Sequence, residues 1–478
     1  MRRASESKWT KPRRGSIPSS RRFFTRPRFA PPTARFWTGR SPAYNQYNQR
    51  DAIDMKLGIA LILVMAARAA SVPVFSSDVY PVIRARCQSC HQKGEVAPMA
   101  FTSYRDTRPW AKAIKESVLR GTMPPWHADR KASAAFVNDR SLDPREIDLI
   151  VRWADGGAPE GKAIDYAAPA GSGRGWKLGT PDLVLKIPRF KVPAQGTIPY
   201  TFVVFSTGFT RDTWIHAAEW RIDKREAVHH MNAFVRPPGS SYVAGFPQLE
   251  FFVPTIAQRR VGRPGEGVFE RRELLVGYEP GYVPAAWGPN QGKLIRAGSD
   301  IAIEMHFNAA GKDLVDESEL GIYIARAAPR ERLVNVAVQN MTFTIPPGDP
   351  NYRTEASAEF AVPVRVVSVQ PHMHLRGKAM EMRVVQPGGR IEPLIQVPRY
   401  DFNWQTTYAL REQVRIEPGG RVDCFAWFDN SPNNKWNPDP SKAVGWGDQS
   451  WEEMHIGFTE IAFDARLDAE KLLAPAKK

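Results

Sequence analysis

The chain of 478 residues contains only three cysteines, Cys87, Cys90 and Cys424. An exported protein ordinarily uses cysteine in disulfides, and three residues, two of them three positions apart, give no such framework. Long apolar runs are also lacking. Nothing reaches the ~18 consecutive apolar residues that a membrane helix needs, and the run Leu57–Met65 falls well short. The formal charge of +16 sits at one end: residues 1–54 hold 13 Lys+Arg against 3 Asp+Glu, whereas residues 71–478 hold 51 against 47. A nearly neutral body excludes nucleic acid as a partner, because such binding rests on a basic surface.

What the chain does have is 41 Pro and 35 Gly, which favour a loop-rich, β-dominated structure. Its length suggests about three domains. Met55-Lys56, the apolar run after it and Ala67-Arg68-Ala69-Ala70 follow the plan of a secretory signal. Residues 55–70 are therefore expected to be a signal peptide, with translation starting at Met55. Residues 1–54 are then basic, disordered sequence included upstream by mis-assignment; a genuine basic arm is the alternative. The protein is expected to be periplasmic or secreted, with no stable membrane span.

Residues 71–165 carry Cys87-Gln88-Ser89-Cys90-His91, the Cys-x-x-Cys-His haem attachment motif. Two thiols on one helical turn can each form a thioether to a haem vinyl group, and the adjacent His faces the iron. The competing readings are a redox thiol pair, which needs a βαβ surround, and half a zinc site, which needs two further ligands. Helices are expected over Asp78–Arg86 and Arg108–Arg120, the latter burying Trp110, Ala113, Ile114 and Val118. A third should start at Pro144, with Asp143 and Glu146 forming a capping box and Gly156 just past its end. Ile147, Ile150, Val151 and Ala154 would line its inner face. For the distal ligand the choice is Met123, in the stiff run Thr122-Met123-Pro124-Pro125-Trp126. Met99 and His127 are its rivals. The run from Cys87 through Met-Pro-Pro-Trp resembles the cytochrome c modules fused to bacterial oxidoreductases. That implies one covalent haem c held by Cys87, Cys90, His91 and Met123.

Residues 166–180, rich in Ala, Gly and Pro, read as a linker. Beyond them Thr201–Phe205, Ile301–His306, Leu320–Ile324, Ala358–Val362 and Met380–Val385 alternate or cluster β-formers between turns, as in antiparallel sandwiches. Five of the nine histidines fall in three places: His229-His230, His306 and His372-Met373-His374. On a strand, residues two apart face the same side, so His372 and His374 can share one ion. Neutral imidazole suits copper, and a Met thioether favours Cu(I).

The order His-His, His, His-x-His, Glu-Met resembles the type II copper, ascorbate-dependent monooxygenases over residues 180–470. The likeness is strongest in His372–Lys378, Tyr400–Gln405 and Glu452-Glu453-Met454. It implies two jelly-roll-like sandwiches facing across a solvent-filled cleft, over residues 181–330 and 331–470, with a boundary near Ala328–Arg332. The fold class expected is thus multidomain: a small all-α cytochrome c domain, then two all-β sandwiches. The resemblance assigns one copper, the electron reservoir, to His229, His230 and His306. A second, which meets dioxygen, falls to His372, His374 and Met454. The function implied is hydroxylation of a C–H bond in a small organic substrate, with dioxygen and an external electron donor, either a periplasmic redox protein or a small reductant. The fused haem would carry the electrons. A non-catalytic electron-transfer or copper-binding protein is the alternative. Gln370 and Phe458 stand where the peptide-hydroxylating members have Arg and Tyr, which argues against a peptide C-terminus as substrate. Cys424 has no expected partner, and His455, next to Met454, is read as structural.

Overall fold

The helix best marked in the sequence forms as its residues require. Pro144–Asp155 is capped by Asp143, whose carboxylate accepts from the Arg145 and Glu146 amides while Glu146 returns a bond to the Asp143 amide. Its inner face buries Ile150 and also Trp153, which is 0% exposed and donates from Nε1 to Pro159 O. The expected helix over 108–120 begins as a 3-10 turn, Arg108–Trp110, and continues as Ala111–Leu119. It buries Ala111, Ile114 and Val118, while Trp110 is 40% exposed, because the 3-10 start rotates Trp110 off that face. Phe75, Val79 and Ile83, on a helical stretch running Phe75–Arg86, complete this small core.

In this computed structural model the described residues are 71–166, 175–260 and 266–474. The expected signal at 55–70, the basic stretch before it and residues 167–174 of the linker lie outside them. Among the described residues, no helix is long and apolar enough to cross a membrane.

From residue 183 onward the regular structure is almost all strand. One four-stranded antiparallel sheet runs Thr201–Ser206, Asp300–Phe307, Val228–Arg236, Glu273–Tyr278. A second runs Tyr352–Glu359, Arg421–Phe428, Gly377–Val385, Ile391–Val397. Each faces part of an eight-stranded sheet that crosses the whole β region. Its order is Leu183–Lys186, Glu319–Ile324, Thr213–Arg221, Gln291–Ile295, Glu331–Asn340, His455–Asp464, Val364–His372, Tyr408–Ile416. Apolar residues from the opposed sheets fill two cores. The expected boundary near Ala328–Arg332 is where the chain passes from one half to the other, yet hydrogen bonding does not break there. Glu331 and Arg332 pair in parallel with Gln291 and Gly292. The junction buries charges in pairs: Arg332 with Glu273 at 2.6 Å, and Lys293 with Glu460 at 2.8 Å. The strand expected over Ala358–Val362 lies earlier, at Tyr352–Glu359, because Ala361 and Pro363 turn the chain out of the sheet.

The segment after Met123 does not stay with the helices. Trp126 and Phe136 pack with Tyr408 in the C-terminal core. Asp129, Ala134 and Val137 donate amides to Gln396, Leu394 and Ala409 carbonyls, and Asn138 bonds Thr407 O and Ala409 N. The helical segment is thus stitched to the second sandwich, not held by the 166–180 connection alone. Val72–Lys478 forms one contact unit.

Candidate functional site

Adjacent residues on a regular strand point to opposite faces, so His229 and His230 should not share an ion. A β-bulge changes this. In the pairing of Val228–Arg236 with Asp300–Phe307, Val228 lies opposite Phe307 and His230 opposite His306, leaving His229 as the extra residue. Ligand nitrogens of His229, His230 and His306 all lie within 4.8 Å of one another, and the Nδ1 atoms of His229 and His230 are 3.2 Å apart. Burial holds all three imidazoles below their usual pKa, His306 at about 3. They are therefore neutral, the form that ligates metal. His306 Nδ1 is buried with no hydrogen-bond partner. An orphaned buried nitrogen among three converging imidazoles fits a bound metal ion better than an empty core. Tyr200 stacks on His306 at 4.4 Å. Glu304, two residues before His306 and so on the same face, stands 3.9 Å from His230 Nε2 and accepts from Asn232.

The second group is assembled differently. His372 ends the strand Val364–His372, and His374 lies past it in a turn, with ring centroids 5.5 Å apart. Met373 between them is fully buried. Tyr400 Oη accepts from Met373 N and donates to Met373 O. Gly377 closes the turn onto His374 O; a Cβ there would meet Met373 Cβ at 2.7 Å and Tyr400 Cδ1 at 2.8 Å. Glu453, fully buried, ties the turn to the next segment. One carboxylate oxygen accepts from the amides of His374 (2.8 Å) and Met454 (3.3 Å), the other from Arg376 N (2.6 Å). Burial pushes this carboxyl up to about 8, against the amides and the Arg376 guanidinium, which favour its charged form. Arg376, itself buried, donates to Asn430 Oδ1 and Trp451 O. The pairing of His372 with Ile456 and this shared carboxyl oxygen bring the Met454 backbone alongside that of His374. Burial lowers His372 to about 4.

The two groups are neighbours. The half-buried Phe402 ring lies 6.0 Å from His229 and 6.0 Å from His374, so those imidazoles are separated by no more than twice that distance. One aromatic side chain thus touches a histidine of each group.

At Cys87–His91 the chain makes a helical turn: the Cys90 and His91 amides both bond Cys87 O. Burial pushes the Cys87 thiol up to about 12 and raises Cys90 as well. Reactive thiol pairs are tuned the other way. Among the described residues the one close group of three His, Cys, Asp or Glu able to hold a metal is the His229 group, so no zinc set forms here. His91 Nδ1 is 3.2 Å from Met99 O and its ring stacks on Phe101 at 4.3 Å, which leaves Nε2 as the free nitrogen. Donor set and tautomer fit an axial haem ligand. Met123 follows the Ala111–Leu119 helix, half-buried, with its amide on Ser117 O. Glu95, four residues after His91, pairs with Arg225, four residues before His229, at 2.8 Å. His455 is buried with Nε2 3.3 Å from Cys424 Sγ, which gives Cys424 the partner the sequence did not suggest.

Residues 334–454 match the family profile described as copper type II ascorbate-dependent monooxygenase, C-terminal domain. His372, His374 and Met454 fall inside that match; His229, His230 and His306 fall outside it. The chain is 30% identical over 138 residues to the mouse DBH-like monooxygenase protein 1, covering 26% of this chain and 22% of that one. It is 26% identical over 136 residues to the Drosophila melanogaster MOXD1 homolog 1, covering 26% and 20%. The chain thus spans about a fifth of the length of these curated relatives. Among solved structures, the major capsid protein P2 of bacteriophage PM2 aligns over 58% of this chain and 99% of its own, at 9% identity and a TM-score of 0.22, too low to carry an argument.

Proposed function

We propose that the protein is a copper-dependent monooxygenase that hydroxylates a C–H bond of a small organic substrate, with electrons supplied through a covalent haem. The observation that carries this reading is the pair of unlike histidine groups, three imidazoles in one and, in the other, two imidazoles whose turn shares the Glu453 carboxyl with the Met454 amide, both groups touching a single aromatic ring. His229, His230 and His306 would hold one copper; His372, His374 and Met454 would hold the other. Copper bound there supplies dioxygen activation and one-electron storage at each site. The chain's own part is to keep the imidazoles of His229, His230, His306 and His372 neutral by burial and to lock the His372–Met454 region through Glu453, Arg376 and Tyr400. Glu304 is placed to orient His230.

Cys87, Cys90 and His91 would hold the haem, which supplies one electron at a time. Met123 is the proposed distal ligand: the Met99 carbonyl lies on the Nδ1 side of His91, away from the iron-facing nitrogen. The Glu95–Arg225 pair and the stitched segment 126–138 support a fixed approach of the haem turn to the strand bearing His229 and His230, not encounter on a loose tether. Export through a signal peptide belongs to the same reading.

The test is a metabolite screen with copper- and haem-loaded protein under labelled dioxygen. A product gaining one labelled oxygen, with the other leaving as water, supports the reading. Copper binding and haem oxidation with no labelled product would establish the non-catalytic electron-transfer alternative.

A further inference from the structure

We propose that Phe402 is a gate between the two histidine groups, its phenyl ring occupying the seat of a ring-sized, apolar part of the substrate. The inference rests on the monooxygenase reading for the word substrate, but its geometry does not. The ring lies nearly parallel to His229, at an interplanar angle of 26°, and edge-on to His374, at 89°. Both arrangements are favoured for aromatic pairs. Whatever displaces Phe402 must replace those contacts, and a flat ring does so best. The further walls agree: Phe458 stands 5.7 Å from His372, and Tyr200 stacks on His306.

The loop is built so that the side chain can move while the backbone stays. Tyr400 is fixed at Met373, Gln405 O accepts from Gln370 at 2.6 Å, and Thr407 N donates to the half-buried Glu279. Inside the loop Asn403 N bonds the Asp401 carboxylate and Trp404 N bonds Asp401 O. Phe402 offers only its carbonyl, to Gln405 Nε2 at 3.2 Å. Rotation about its side-chain torsions breaks no hydrogen bond. It opens the space between the groups on the fast timescale of partly exposed side chains.

The experiment uses metal-free protein and therefore does not depend on activity. Diethyl pyrocarbonate modification is followed residue by residue by mass spectrometry, with the exposed His216 as internal standard. In Phe402→Ala, His229 and His374 should react several-fold faster than in the wild type while His216 is unchanged. Benzyl alcohol should restore the slow rate at both, and 1-heptanol, with the same number of carbons, should not. Phe402→Leu, closer in volume, should give intermediate rates and keeps the test usable if the alanine variant folds poorly. Unchanged rates at His229 and His374 would overturn the gate. Equal protection by the two alcohols, or none by benzyl alcohol, would overturn the ring-shaped seat. A failed metabolite screen with this footprint intact would remove the monooxygenase reading and leave the gate standing.

Discussion

The His229 and His372 groups sit on four- and eight-stranded sheets of the same β region, but they are secured by different means. The first lies wholly within two paired strands, and one bulge turns a neighbour pair into a convergent one. Its shape is a property of the ladder. The second draws one histidine from a strand end, one from a turn and a methionine from the lead-in to another strand. A buried carboxylate that accepts from three amides holds it together. A site made of ladder resists change until the sheet fails, whereas a site hung on one carboxylate can be lost alone. Under the proposed function, this division suits a reservoir that should not rearrange beside a centre that must keep a position open.

Breaking the carboxylate should separate the two most sharply. Glu453→Leu leaves the buried amides of His374, Arg376 and Met454 without their acceptor, a loss on the order of 1–3 kcal/mol for each group left unpaired. Thermal unfolding should show the drop, and copper analysis of the folded fraction should fall from two per chain to one, with the His229 group still loaded. Met454→Ile should leave the fold and about two oxidised coppers in place, since thioether binds Cu(II) weakly. Product formation should fall at least about a hundredfold, as for loss of one essential transition-state contact. Copper content and turnover measured on one sample check both halves of that expectation.

Acid should act more gently, on both groups. The folded-state pKa values, about 3 for His306 and about 4 for His372 and His455, lie below the ~6.5 of an unfolded chain. Their stabilisation is therefore complete above pH 6.5 and is lost as pH falls from there towards 4, because the unfolded chain takes up the protons first. By pH 5 the metal-free protein should lose on the order of 1–2 kcal/mol per histidine, read from denaturant midpoints. The smallest effect belongs to the partly exposed Glu95–Arg225 pair. Arg225→Ala should cost no more than about 1 kcal/mol, yet it should slow haem reoxidation several-fold in single-turnover stopped flow. A rate equal to wild type would detach the haem turn from the His229 group.

Much of this comparison was legible in the sequence. The haem motif, the capping box around Asp143 and the histidine pairs are local patterns, and local patterns survive in one dimension. The bulge at His229 did not show, because it exists only relative to the strand opposite. For the same reason neither the pairing of residues 129–138 with the second sandwich nor the sheet continuous across Glu331 could be read. Glu304 carried a faint signal, being two residues from His306 on a strand. Glu453 was visible as part of Glu-Glu-Met without a role, since its work is to accept amides folded around it. Phe402 stood in the recognised Tyr400–Gln405 run, but only the conformation of the loop brings its ring against both His229 and His374.

The contrast between the two groups is tested most directly by X-ray absorption at the copper edge of the fully reduced, doubly loaded protein. Two coppers per chain with a sulfur neighbour on half of them, lost in Met454→Ile and retained in His306→Ala with the remaining copper, would bear out a thioether at one site and imidazole alone at the other. One copper per chain, or two with no sulfur neighbour, would contradict it.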